Sequence, residues 1–382
     1  MKITFEAQHL CVPDLRGIPQ YSINLINALC RRQRNEYALI FFDKNKERNN
    51  GHKYIFPLFN KTNIQKIECN HESYIDMIKY RDIAEGINYN NRVGVESDLF
   101  HFMFPDCMPR LINGKLVVTV HDLIPIMYPA LLNPKLKPLF EQGIKRLENN
   151  DATIIADSYN TKNDLIKLTS INENRIHVIH ISYNEDIMYP DEDINKIKAF
   201  NINQPYILYL AAIVPQKGIE SILEMFKQIA KMQPDIKLVI AGFLTYVHPA
   251  ILTKIIKHPY RSRIVLTDYV TEDQKRGLIS NAMLFLFPSK YEGFGIPVLE
   301  AMACGCPIIT SNVSSIPEVA GDAGILIDPM NTEQLVYETN RAIQSDSLRK
   351  EMREKGLKQV KQFTWEKTAE QTEKVYELAM QS

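Results

Sequence analysis

The sequence has no excess of either charge: 45 Lys and Arg stand against 45 Asp and Glu. That balance excludes a protein whose main task is to grip nucleic acid or an anionic membrane through a basic surface. The six cysteines (11, 30, 69, 107, 304 and 306) form no C-x-x-C pair and have no histidine at zinc spacing, which removes zinc ribbons and dithiol redox sites. A chain of 382 residues buries two cores without staples, so these cysteines read as reduced thiols. A long apolar run is also missing. The longest, Leu116 to Leu132, is broken by His121-Asp122, Pro125 and Pro129, and no spanning helix is expected. Met1 to Phe5 opens on a strand pattern followed at once by Glu6, Gln8 and His9, with no apolar signal core. The expectation is a cytoplasmic protein, with contact at a membrane surface still open. Fixed-period repeats and low-complexity tracts are absent.

What is present is an ordinary globular composition, 45% hydrophobic and 24% charged, in a length that suits two domains. Apolar or β-branched runs at Lys115–Val120, Ala152–Ala156, Tyr206–Leu210, Ile236–Ala241, Ile264–Thr267, Met283–Phe287 and Pro307–Thr310 read as strands. Helical stretches separate them. In Lys217–Met232 the apolar residues Ile219, Ile222, Leu223, Phe226, Ile229 and Ala230 fall on one stripe. Near-continuous apolar strands alternating with helices predict parallel sheets covered on both faces. The polar stretch Tyr183–Gln204 reads as the break between an N-terminal domain over 1–183 and a C-terminal domain over 204–363. Thr364 to Met380 reads as a final helix, with Glu366 in its first turn.

The segment Ser289 to Pro307 carries the most chemistry. A buried strand ends at Pro288, and Glu292-Gly293-Phe294-Gly295 forms a glycine loop. Pro297 suits the first turn of a helix, and Gly305 with Pro307 ends it. A glycine loop feeding a helix N-terminus offers backbone N–H groups and a positive dipole end to a phosphate. Glu292 on the loop and Glu300 one turn into the helix suit hydroxyls on either side of that phosphate. The dinucleotide fingerprint G-x-G-x-x-G does not apply, because its third glycine position is Val298.

Glu292 to Glu300 resembles the Glu-x7-Glu motif of retaining glycosyltransferases of family 4. Other segments of the chain resemble that family in the same order: Arg16-Gly17-Ile18-Pro19, Val117 to His121-Asp122, Ala156-Asp157-Ser158, Ile207 to Gly218, Asp268-Tyr269-Val270 and Phe363-Thr364-Trp365. His121-Asp122-Leu123-Ile124-Pro125 is similar to the mannosyl- and rhamnosyltransferase-like branch. The resemblance implies a GT-B fold, α/β, with two Rossmann-like doubly wound parallel-sheet domains facing a central cleft. The final helix, 364–382, would cross back onto the first domain.

The resemblance also implies roles. Glu292 would bond hydroxyls of the donor sugar and Glu300 the ribose. Gly293 and the amides of Phe294, Gly295 and Ile296 would face the sugar and diphosphate, and Val270 the base. Gly17 would let its loop approach the diphosphate, with Arg16 beside it. Lys217 would hold the leaving diphosphate, where a fixed cation lowers the barrier. His121 would orient and stabilise charge at the reacting centre. The family's arginine near this lysine is replaced by Gln216 or Ala212. Either Arg16 or Lys290 supplies the missing charge, or donor binding or activity is weaker. No metal ligands and no cofactor are expected.

The expected partners are a GDP-, UDP- or dTDP-linked sugar and a saccharide or lipid-linked acceptor, with no nucleic acid. The expected function is retaining hexosyl transfer in cell-surface polysaccharide or glycolipid synthesis. A non-catalytic sugar-binding or partner protein, or a nucleotide-sugar-dependent synthase, stands as the alternative. On the acceptor side, residues 43–98 are polar with Tyr54, Tyr74, Tyr80 and Tyr89, suited to sugar stacking or to ordinary loops. Asn133–Asn149 is a basic amphipathic stretch whose stripe (Leu136, Leu139, Phe140, Ile144, Leu147) serves either the core or contact with the inner membrane.

Overall fold

The computed structural model describes residues 1–11, 17–43, 55–60, 62–70, 89–109, 111–129, 137–202, 205–244, 247 and 249–381. The chain forms two compact units, Met1–Ile181 with Trp365–Ser382, and Ser182–Thr364.

The first unit is built on seven parallel strands: β1 (Lys2–Glu6), β2 (Glu36–Asp43), β3 (Gln65–Asn70), β4 (Leu99–Phe102), β5 (Lys115–Val120), β6 (Thr153–Ala156) and β7 (Ile176–Val178). Their order is β3-β2-β1-β4-β5-β6-β7. All four residues of β4 and of β6 are buried, as a sheet covered on both faces requires. Helices α1 (Ile18–Arg32), α2 (Lys137–Glu148) and α3 (Tyr159–Leu168) belong to this unit. Ser158 caps α3 by accepting from the Thr161 amide at 3.0 Å. The closing helix, Trp365–Gln381, lies on α1, where Arg32 donates to Glu373 at 2.8 Å and also pairs with Glu366.

Two readings that the sequence leaves open are decided here. The α2 stripe is core: Phe140, Ile144 and Leu147 pack with Phe100, Phe102, Val118 and Val120. Gly143 presses so close to Pro105 that an added Cβ would sit 2.5 Å from its carbonyl oxygen. Arg146 donates to the Met108 carbonyl instead of facing lipid. Leu136 and Lys135 lie outside the described residues. Tyr89 is buried and meets the rings of Phe100 and Phe102 edge-on, so it packs on protein and not on sugar. Tyr54, Tyr74 and Tyr80 lie outside the described residues.

The second unit repeats the plan with six parallel strands: β8 (Tyr206–Leu210), β9 (Lys237–Ala241), β10 (Ile264–Asp268), β11 (Leu284–Phe287), β12 (Ile308–Ser311) and β13 (Ile325–Ile327). The order β10-β9-β8-β11-β12-β13 places the topological switch between β8 and β11. Such a switch opens a crevice at the C-terminal strand ends, where ligands bind in open parallel sheets. Helices α4 (Ile219–Met232), α5 (Glu272–Ser280) and α6 (Ile296–Ala303) follow β8, β10 and β11. The polar stretch read as a break belongs to this unit. Asp191 accepts from Arg276 at 2.8 Å, and its amide donates to Ser280 at 3.0 Å. Asp191 is therefore anchored on α5, within this unit.

Candidate active site

The loops after β8 and β11 are tied together at the switch point. The Lys290 amide donates to the Gln216 carbonyl at 2.9 Å, and Gln216 Nε2 donates to the Tyr291 carbonyl at 3.2 Å. Gly218 has φ +75°, and a Cβ there would lie 2.1 Å from the Pro288 carbonyl oxygen. Only glycine allows that approach. Ser315 Oγ lies 3.0 and 2.7 Å from the Glu292 and Phe294 carbonyls, and Ser314 Oγ accepts from the Glu292 amide at 3.1 Å. These two serines, which sequence reading did not single out, hold the glycine loop.

The tied loops bring Lys217 and Glu292 together. Lys217 Nζ lies 2.6 and 2.7 Å from the two carboxylate oxygens. The side chains are 21% and 10% exposed, so the pair faces solvent on one side. An ammonium has three N–H bonds, so one remains for a further acceptor. Gly295, at φ +113°, opens α6, with Pro297 in its first turn and no side chain capping its start. The uncapped helix end and the ammonium together form an anion-attracting corner with a carboxylate beside it.

Glu300 lies one turn into α6, where its Oε1 accepts from Lys275 of α5 at 2.8 Å. Burial pushes the Glu300 carboxyl above its ordinary range, and Lys275 offsets only part of this. Burial pulls Lys275 down, but Glu300 and Glu272 outweigh it and hold the ammonium above its usual range. Val270 follows β10 and is half-buried. Beside it, the Tyr269 ring stacks obliquely on Phe243 at 5.0 Å, with Tyr269 57% exposed. The positions of the missing arginine carry no charge: Gln216 is buried in the loop tie, and the Ala212 carbonyl accepts from the Tyr209 hydroxyl at 3.0 Å. Lys290 makes no ion pair among the described residues. Arg16 lies outside them.

The first unit holds the other predicted residues. His121 follows β5, with Nδ1 2.6 Å from Asp157 Oδ2 and Nε2 3.0 Å from the Met103 carbonyl. Burial pulls the ring down, but the Asp157 charge and hydrogen bond outweigh it and hold the imidazole above its usual range. Tyr21 of α1 meets this ring edge-on at 4.7 Å. Behind it runs a buried row: the Tyr21 hydroxyl is 3.1 Å from Thr119 Oγ1, Thr119 is 2.8 Å from His101 Nε2, and His101 Nδ1 is 2.7 Å from the Tyr376 hydroxyl. Burial lowers His101 to about 3, so it stays neutral. Gly17 caps α1 at φ +65° and ψ −125°, a conformation for glycine, and a Cβ there would meet nothing within 4 Å. Among the described residues no cluster of three His, Cys, Asp or Glu could hold a metal ion, and no helix is long and apolar enough to cross a membrane.

Comparison with known proteins follows this geometry. Residues 190–359 match the family of Glycosyl transferases group 1. The chain is similar to O-antigen chain mannosyltransferase B of Escherichia coli, 29% identical over 69% of this chain and 70% of that protein. It is 32% identical to the serotype-specific mannosyltransferase WbdA of Escherichia coli over 67% of this chain, a match that spans 32% of WbdA. The structure of HepE from Anabaena in complex with UDP and glucose superposes with a TM-score of 0.72 and 16% identity, covering 99% of both chains.

Proposed function

We propose, since the chain belongs to the Glycosyl transferases group 1 family, that it is a retaining mannosyl-type hexosyltransferase working from a nucleotide-diphosphate sugar. It is a glycosyltransferase of the GT-B fold, and its similarity to an O-antigen chain mannosyltransferase supports a role in polysaccharide synthesis. The observation that carries the reading is the Lys217–Glu292 pair beside the uncapped start of α6.

In this reading the diphosphate sits at the α6 start, where backbone N–H groups and the helix dipole favour it. Lys217 keeps two N–H bonds on Glu292 and gives the third to the leaving phosphate. Glu292 is thereby held in place to accept from sugar hydroxyls, and Glu300, with Oε1 on Lys275, turns Oε2 to the ribose. Tyr269 and Val270 receive the base. The C1–O bond to the phosphate breaks, and its electron pair goes to the phosphate oxygen. The acceptor hydroxyl bonds to C1 from the same face, its proton passes to the departing phosphate, and the nucleoside diphosphate leaves. No metal and no cofactor enter these steps. We assign the saccharide or lipid-linked acceptor to the first unit and the work to the cytoplasm. Membrane contact through α2 is not part of the reading, because its apolar stripe is core.

The test is a panel of GDP-, UDP- and dTDP-linked hexoses incubated with oligosaccharide and lipid-linked acceptors. Products are weighed by mass spectrometry, and the new anomeric centre is read by proton NMR. Transfer from GDP-mannose with the α configuration kept is expected. An inverted product would overturn retention, and nucleotide binding without transfer from any donor would overturn the enzymatic reading.

A further inference from the structure

Both ring nitrogens of His121 face acceptors. Nδ1 meets a carboxylate oxygen at 2.6 Å and Nε2 meets a backbone carbonyl at 3.0 Å. A neutral imidazole has one N–H, a carbonyl only accepts, and an ionised carboxylate only accepts. A neutral ring beside an ionised Asp157 would therefore set lone pair against lone pair at one of its two contacts. A doubly protonated ring satisfies both. The 2.6 Å distance is in the range of charge-assisted hydrogen bonds.

The surroundings of Asp157 point the same way. Its side chain is 3% exposed, and its Oδ1 is buried with no hydrogen-bond partner. No Lys or Arg among the described residues pairs with it. A carboxylate this deep needs a counter-charge, and the imidazolium is the one that its contacts provide. The groups around the ring are compatible. Asp122, next in the chain, adds a second negative charge. Tyr21 from α1 stays a neutral phenol because burial raises it far above its ordinary range. His101 from β4 stays neutral. Thr161 of α3 donates to the His121 carbonyl at 3.1 Å and adds no charge.

We infer that Asp157 is a positioning residue that keeps His121 a doubly protonated imidazolium, with both N–H bonds spent on protein acceptors. The ring is then a fixed positive charge. It has no bare nitrogen to take a proton, so it is not the base for the acceptor hydroxyl. That last consequence rests on the transferase reading, whereas the state of the ring does not.

The experiment is nitrogen-15 NMR of the full chain labelled at histidine, with the His121 signals identified by their loss in His121→Gln. At pH 7.5 both His121 nitrogens are expected in the protonated range, titrating above the ordinary 6.5 or so. Asp157→Asn keeps an acceptor but removes the charge, and should move that titration down by about 1–3 pH units. One bare nitrogen at pH 7.5 in the unaltered chain would overturn the inference, and so would a titration that Asp157→Asn leaves in place. The unaltered chain tests the claim even where the variant does not fold. In a second arm, the alkaline limb of nucleoside diphosphate release should move down with Asp157→Asn in the variant that circular dichroism shows to be folded at the assay temperature, although its melting temperature falls because the pair no longer stabilises the fold. An unmoved alkaline limb in an active, folded variant would overturn the positioning role. An inactive unaltered chain with a doubly protonated ring would contradict the transferase reading alone.

Discussion

Acidifying from pH 7 to pH 5 should cost the first unit about 2 kcal/mol through one side chain, His101. The ring is fully buried on β4 between Thr119 and Tyr376, and burial brings it from 6.5 to about 3. A depressed folded value means that the contribution is complete above about 6.5 and is lost as pH falls toward 3. Between 6.5 and 5 the unfolded chain takes up a proton that the folded chain refuses. At about 1.36 kcal/mol per pH unit, 1.5 units give about 2 kcal/mol. Trp365, the single tryptophan, packs 5.9 Å from the Tyr21 ring and reports on this unit by fluorescence. Urea unfolding followed by that signal at pH 7, 6 and 5, for the unaltered chain and for His101→Gln, gives the difference directly. His177, also lowered by burial, contributes to both proteins and cancels. Equal losses in the two proteins would refute the argument.

Three further outcomes follow from the second unit. Gly218→Ala forces a Cβ toward the Pro288 carbonyl at φ +75°. It should cost at least about 1–3 kcal/mol, read by circular dichroism in denaturant. Lys275→Met strands Glu300, whose carboxyl burial already pushes up, so nucleoside diphosphate affinity should fall about tenfold in calorimetry and fall further below pH 6, with Lys275→Arg recovering part. Gln216→Arg places a cation where the family carries one. Because Gln216 is buried and ties the loop to Tyr291, the substitution should lower both melting temperature and turnover; a gain in turnover would show that the position can still serve the diphosphate.

The fold was legible where one residue type enforces one local geometry. The runs at Lys115–Val120 and Tyr206–Leu210 are strands with those bounds, and Gly295, Pro297 and Gly305 bracket α6 as their backbone preferences dictate. Strand β4 was harder to see, because buried His101 interrupts an apolar run of four. The α2 stripe was ambiguous for a physical reason: an apolar face looks the same whether it meets a core or a bilayer, and only packing against Phe100 and Val118 decides. The pairings escaped for a related reason. Glu292 and Lys217 were each read as ligand contacts, yet they are 75 residues apart and hold each other. Lys275 on Glu300 and Asp157 on His121 depend on which strand ends adjoin, which composition and spacing do not encode. Polarity makes 183–204 read as a break, and the unit boundary falls just before it, at Ile181–Ser182, while Asp191 within it is held by Arg276 of α5.

The central claim is that Glu292 and Lys217 at the start of α6 form the donor-sugar and leaving-group site. Steady-state release of nucleoside diphosphate from the preferred donor, measured with acceptor for the unaltered chain, Glu292→Gln and Lys217→Met, tests it most directly. The account predicts that each substitution lowers kcat by about 10²–10³, as loss of a transition-state charge contact does, while circular dichroism shows the fold intact. Turnover in folded Glu292→Gln or Lys217→Met equal to that of the unaltered chain would contradict it.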